Sequence, residues 1–334
     1  MKVLVVAPSW IGDTILMQPL LARLAEGGGV IDVLAPAWSA PLLSRMPEVA
    51  RTIANPFTHG EFNLTARRRF GRELAREGYR QAVLLPNSWK SALVPFFAGI
   101  RLRTGYTGEA RVGLLNDRRV LDQAALPLLA ERYAALAERP GAPLRRPLPR
   151  PRLTSTPAQQ AATRAALGLP VDQRPIVFCP GAEYGPAKRW PARHYAELAR
   201  RLAKGERPVW LVGSAGDKAV GEEIGALAGG ATLNLCGRTN LEQAIDLIAG
   251  ACLVVSNDSG LMHVAAALDR PLAALFGSSS PAYTPPLSPT ARILSIGIEC
   301  SPCFKRECPL GHLKCLNDLT PDRVFDAAKG LIEP

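Results

Sequence analysis

The sequence predicts an α/β protein built from two doubly wound, Rossmann-like domains. Three observations predict it: short apolar, β-branched runs alternate with helical patterns, a proline-rich stretch interrupts them near the middle, and beyond it the alternation starts again. A strand covered on both faces of a parallel sheet reads as a continuous apolar run rather than an alternating one. The run KVLVVA at 2–7 is the first such strand, and a helical pattern at 14–25 follows it. Strands come next at 30–35, 51–54, 81–85 and 102–106, with helical patterns at 65–77 and 88–98 among them. The segment RPGAPLRRPLPRPRL at 139–153 carries Pro140, Pro143, Pro147, Pro149 and Pro151. Proline fixes φ and has no N–H to donate, so this stretch reads as an extended, stiff linker rather than a helix or central strand. After it, strands at 176–179, 209–212, 253–256 and 272–276 are each followed by a loop, and most then by a helical pattern. The expected domains are 1–153, linker included, and 154–334. Sheets of this kind bind ligands at the carboxyl ends of their strands, and the two domains are expected to face a central cleft.

Charge narrows the partners. The 334 residues carry a formal net charge of +11. Residues 1–160 hold 22 Lys and Arg against 12 Asp and Glu, whereas residues 161–334 hold 18 against 17. Nearly all the basic excess therefore sits in the first half, which points that half towards an anionic partner: nucleic acid, an acidic membrane surface or a phosphorylated substrate. The start MKVLVVAP has too short an apolar core for a signal peptide, and no stretch approaches the roughly 20 apolar residues of a spanning helix. A cytoplasmic protein is expected, in which seven cysteines do not form a disulfide framework.

Four loops could carry chemistry. After the first strand, Pro8-Ser9-Trp10-Ile11-Gly12-Asp13-Thr14 lies where an open α/β sheet places functional groups, and Gly12 lets backbone approach a ligand. Asp13 fits either an N-cap or a general base. In the second half, the loop PGAEYGPAKRWP at 180–191 offers two glycines and two basic residues, including Lys188, which suits a phosphate or a solvated turn. The junction SNDSGLMH at 256–263 leaves the amides of the next helix open to an anion at Gly260. Asp258 there fits sugar hydroxyls better than phosphate, or an N-cap; His263 suits a structural role or a ligand contact. The loop FGSSSP at 276–281 adds small donors.

Absences also count. There is no G-x-G-x-x-G after the first strand and no G-x-x-x-x-G-K-[ST], which argues against a dinucleotide dehydrogenase or a P-loop enzyme. There is no Asp-x-Asp pair to hold a divalent metal. If a pyrophosphate binds, Lys188 and helix amides must neutralise it, and a transferase needing no metal or cofactor for catalysis is the economical reading. Cys300, Cys303, Cys308 and Cys315, spaced C-x2-C-x4-C-x6-C with His312 among them, suit a structural zinc or a thiol-rich structural loop. Cys179, Cys236 and Cys252 read as buried small hydrophobes.

Taken together, VLVVAPSWIGDTILMQPLL, PGAEYGPAKRWP and LVVSNDSGLMHVAAALDRPLAALFGSSSP resemble glycosyltransferase family 9, the bacterial lipopolysaccharide heptosyltransferases with the GT-B fold. The segments LPNSWKSAL at 85–93 and CSPCFKRECPLGHLKC at 300–315 are more similar to the branch that adds the second heptose, type II, than to type I. The resemblance implies an inverting transfer of L-glycero-D-manno-heptose from ADP-heptose, held by the second domain, to the first heptose of heptosyl-Kdo-lipid A, presented to the first. It makes Asp13 the base and puts Lys188 on the donor phosphates and Asp258 near the donor sugar. Ser259, Gly260 and His263 fall in the same motif, with Thr239 near the adenine and Asp217 as the ribose contact. Gly12, Asn87, Ser88 and Lys90 fall on the acceptor side; Arg68 and Arg72, spaced i to i+4 in the arginine run, suit either a simple solvated face or an anionic contact for phosphorylated lipid A at the cytoplasmic face of the inner membrane. Competing readings are type I or another acceptor specificity, a GT-B-type nucleotide-sugar epimerase, and a nucleic-acid binder using Arg67-Arg68-Arg69, Arg72, Arg76 and Arg80. No nucleic-acid signature accompanies that arginine run, so no nucleic-acid partner is expected.

Overall fold

The computed structural model describes residues 1–58, 60–203 and 207–332. Contacts divide the chain into two compact units, Met1–Pro151 and Arg152–Pro334. Unit 1 holds β1 (Lys2–Val6), β2 (Val30–Ala35), β3 (Val49–Ala54), β4 (Gln81–Leu84), β5 (Leu102–Tyr106) and β6 (Asp117–Arg119) in the spatial order β3-β2-β1-β4-β5-β6. Unit 2 holds β7 (Ile176–Cys179), β8 (Val209–Leu211), β9 (Thr232–Asn234), β10 (Leu253–Asn257), β11 (Leu272–Leu275) and β12 (Ala291–Leu294) in the order β12-β11-β10-β7-β8-β9. Every pairing is parallel. Numbered within its own unit, each sheet runs 3-2-1-4-5-6, the order of a dinucleotide-binding Rossmann sheet. The strand order reverses between β1 and β4 in unit 1 and between β7 and β10 in unit 2. Loops leaving those strands are where such sheets bind ligands.

The central strands form because their apolar runs are covered on both faces. Val3, Leu4 and Val5 have no exposed surface, and neither do Val177, Phe178, Leu253, Val254 and Val255. Unit 2 packs Trp190, Tyr195 and Phe178 together, with the Trp190 and Tyr195 rings 4.9 Å apart edge to face. The proline-rich stretch takes neither helix nor strand, and it is fastened to unit 1 by Arg145 to Glu138 at 2.9 Å and Arg146 to Glu131 at 2.8 Å.

Three strands escape the sequence reading: β6, β9 and β12. All lie at sheet edges, where one side has no strand neighbour and the apolar run is not required; β6 is simply Asp-Arg-Arg. The helix expected at 14–25 is two helices, Ile11–Leu16 and Gln18–Glu26. Pro19 stands in the first turn of the second helix, where its missing N–H costs nothing, and the chain restarts there rather than running through.

Candidate active site

In unit 2 the loop after β7 ends in a short 3-10 turn, Pro186–Lys188, and the loop after β10 is only Asp258 and Ser259 before the helix Gly260–Ala267. Because β7 and β10 are neighbours, these loops meet. Lys188 Nζ lies 2.5 Å from Asp258 Oδ2, with the Asp258 side chain 5% exposed and that of Lys188 18%. Asp258 is not the N-cap: Ser259 holds that position, in extended conformation and with no side-chain cap bond, while the Asp258 carboxylate takes the lysine. The 180–191 loop is no simple solvated turn either, since Gly181, Ala182, Ala187 and Trp190 are buried. Lys188 Nζ also sits 5.2 Å from the centre of the Tyr184 ring, and Arg306 Cζ lies 5.4 Å from the same ring. His263 is buried in the helix beside this pair. Burial pushes its pKa down to about 4, against the pull of Asp258 and with help from Lys188, so the imidazole is neutral at physiological pH.

One residue fastens the arrangement. Asn257, the last residue of β10, has no exposed surface; its Oδ1 accepts from Trp190 N–H and the Tyr195 hydroxyl, each at 3.0 Å, and its Nδ2 donates to the Pro180 carbonyl at 2.6 Å. It ties β10 to both ends of the Lys188 loop. The motif SNDSG drew attention to its neighbour instead, because a buried amide has no signature apart from the partners it finds.

Other loops of unit 2 carry buried hydroxyls without a partner among the described residues: Thr239 Oγ1, Ser278 Oγ and Ser279 Oγ. Buried polar groups are ordinarily satisfied, so three orphans on loops of one unit suit a polar ligand. Asp217 lies against Gly181, where a Cβ would come within 2.3 Å of its carboxyl carbon. One of its oxygens is occupied locally, accepting from Ser214 N–H at 2.9 Å and the Ser214 hydroxyl at 2.8 Å.

In unit 1, Trp10 is the N-cap of the helix Ile11–Leu16, and it makes no side-chain cap bond. Asp13 is therefore not a cap. It lies half-buried in the first turn, two residues past the first, where a carboxylate is favoured by the helix dipole, with half-buried Gly12 beside it. From the neighbouring strand β4 comes the loop with Asn87 and Ser88. Arg111, 2% exposed, holds this loop by donating to the Pro86 carbonyl at 2.9 Å, to Asn87 Oδ1 at 3.2 Å and to the Tyr106 carbonyl. Ser88 is the N-cap of the helix Trp89–Phe97, and Lys90 Nζ donates to the Gly60 carbonyl at 3.3 Å.

The arginine run is split by the helix Leu64–Ala75. Arg67 turns inward, donating to the Glu61 carbonyl at 3.0 Å with its guanidinium 4.1 Å from the Phe57 ring centre, and burial lowers its pKa. Arg68, Arg72 and Arg76 are exposed at i, i+4 and i+8, which leaves a basic stripe on one face. Gly71 lets this helix lie against Trp89–Phe97: a Cβ there would come within 2.6 Å of Phe97 Cβ. Phe62 is exposed and packs on Trp89, ring centres 4.9 Å apart.

Known proteins share this architecture. The family model described as glycosyltransferase family 9 (heptosyltransferase) matches residues 67–314. Lipopolysaccharide heptosyltransferase 2 of Salmonella typhimurium is 48% identical over 343 residues, spanning 99% of this chain and 99% of that one. The protein of the same name from Escherichia coli K12 is also 48% identical, with the same coverage of both chains. The solved structure of E. coli ADP-heptose LPS heptosyltransferase II matches with a TM-score of 0.90 and 46% identity, covering 100% of this chain and 99% of that one.

Proposed function

The chain belongs to glycosyltransferase family 9, the heptosyltransferases, and has its GT-B fold; from that premise we propose that it moves L-glycero-D-manno-heptose from ADP-heptose to the first heptose of heptosyl-Kdo-lipid A. The observation that carries the assignment of roles is the Lys188–Asp258 pair at the strand-order reversal of unit 2. A cation held by a nearly buried carboxylate suits a diphosphate that leaves carrying charge. Thr239 and Ser279 offer the remaining donors, and the Asp217 carboxylate oxygen not bonded to Ser214 serves the ribose. Asp258, released from part of its lysine contact, accepts from the heptose hydroxyls, and Ser259 and Gly260 present helix amides. Neutral His263 fills the space behind the pair.

The reaction is a single displacement. Asp13 takes the proton of the acceptor hydroxyl as that oxygen attacks the anomeric carbon. The bond from that carbon to the ADP oxygen breaks, its electron pair leaves with the β-phosphate, and the configuration inverts. Lys188 meets the developing charge; a fixed donor of this kind is worth about 3 to 4 kcal/mol where one has been removed from an active site. No metal or other cofactor enters the step. On the acceptor side, Gly12, Asn87, Ser88 and Lys90 frame the sugar, and Arg68 and Arg72 meet lipid phosphates at the cytoplasmic face of the inner membrane. Raising salt therefore raises KM for the acceptor far more than KM for ADP-heptose. The test is ADP release from ADP-heptose with and without the mono-heptosylated acceptor: transfer requires release to depend on the acceptor, whereas conversion of the donor sugar without any acceptor would contradict it.

A further inference from the structure

The 300–315 segment carries four thiols that the transfer reaction does not use. No helix or strand occupies residues 295–313, a length at which an irregular segment is uncommon unless something holds it. Yet it braces the donor loops: the Phe304 carbonyl accepts from the Tyr184 hydroxyl at 2.7 Å, the Arg306 carbonyl accepts from Ala187 N–H at 3.0 Å, and Phe304 N–H donates to the Ser278 carbonyl at 2.7 Å. Gly185 approaches so closely that a Cβ would lie 2.4 Å from the Arg306 carbonyl oxygen. Phe304 and Leu313 both have left-handed backbone, φ +54° and +48°, which costs side-chain-bearing residues energy and persists where the surroundings fix it.

Cys300, Cys303, Cys308 and Cys315 all line one small cavity, together with His312 and Ser278. Its volume open to a water-sized sphere is about 20 Å³, room for one water or one ion. Ser278 is 2% exposed, and its hydroxyl has no partner among the described residues. His312 Nδ1 accepts from Lys314 N–H at 3.0 Å, so in its neutral form the proton is on Nε2 and neither nitrogen offers a lone pair. That leaves the sulfurs. We infer that this cavity takes one zinc ion, bound by the thiolates of Cys300, Cys303, Cys308 and Cys315, which cross-links the segment bracing the Lys188 loop. Four sulfurs in tetrahedral array are a structural donor set for zinc, and Lys305, Arg306 and Lys314 in the same segment offset the two net negative charges of the site. As the side chains stand, no three His, Cys, Asp or Glu among the described residues converge to hold a metal. Binding therefore re-aims the sulfurs by changes of staggered rotamer.

Two measurements on the full chain test this. Protein made in zinc-supplied medium and purified under a reducing agent should contain one zinc per chain by elemental analysis, and the Cys303→Ser/Cys308→Ser variant none. On the wild-type chain, stripping metal with a strong chelator should expose four additional thiols to a colorimetric thiol reagent, and adding zinc back should protect them again. Cobalt added to the stripped protein should saturate at one equivalent with the charge-transfer absorption of thiolate ligands. Protein holding no zinc, whose thiol reactivity is the same with and without added zinc, would overturn the inference. So would zinc retained in full by the double variant.

Discussion

Replacing Lys188 by methionine separates its pairing with Asp258 from the phosphate contact proposed for the same side chain. The substitution keeps the length and apolar stem of the residue and removes the charge, leaving the Asp258 carboxylate, 5% exposed, without its 2.5 Å partner. Removing one member of a buried ion pair costs about 3 to 5 kcal/mol, because the charge left behind has lost both water and its partner. Lys188 is 18% exposed, so water recovers part of that loss, and the lower end, about 3 kcal/mol, is expected. Converting Asp258 to Asn in the same chain removes the orphaned charge at nearly constant shape. The Lys188→Met/Asp258→Asn protein should then recover to within about 1 kcal/mol of the parent, as matched removal of both partners of such pairs does. Affinity for ADP should not recover, as the phosphate contact proposed for Lys188 requires. Urea unfolding of the parent, both single variants and the double, paired with calorimetric titration of ADP, measures all four corners. If Lys188→Met is as stable as the parent, or if the double variant is no more stable than Lys188→Met, the pair is not the buried, coupled unit described here.

Other substitutions make sharper or simpler demands. Asp13→Asn should bind ADP as the parent does and lose turnover by about 10² to 10⁴, the range for a positioned general base, read from ADP affinity beside the rate of acceptor glycosylation. Asn257→Ala strands three buried groups, on Trp190, Tyr195 and Pro180, and should destabilise the chain by at least about 3 kcal/mol at 1 or more per group, seen in denaturant unfolding. His263, with its pKa pushed down to about 4 from 6.5, binds its proton more readily when unfolded. Its contribution of about 3 kcal/mol is present above pH 6.5 and is lost as pH falls towards 4. His263→Gln should flatten that part of the stability profile.

How much of this was legible in the sequence depends on what each feature rests on. Central strands such as β1, β7 and β10 announce themselves because burial on both faces demands unbroken apolar runs, and β6, β9 and β12 do not because an edge makes no such demand. Asp13, Lys188 and Asp258 stand out in loops that a doubly wound sheet turns towards ligand, but the pairing of Lys188 with Asp258, 70 residues apart in the chain, follows from β7 and β10 being neighbours. Asn257 and Arg111 were invisible: their roles consist of hydrogen bonds to distant backbone, which no spacing encodes. Arg67 looked like its neighbours in an arginine run, and one step around the helix put it against Phe57 while Arg68 stayed in water.

Which acceptor gains a heptose tests the central claim most directly. Purified protein incubated with ADP-heptose and either Kdo-lipid A or its mono-heptosylated form, with products weighed by mass spectrometry, should add one heptose to the mono-heptosylated acceptor and leave Kdo-lipid A unchanged. Addition to Kdo-lipid A alone would contradict it.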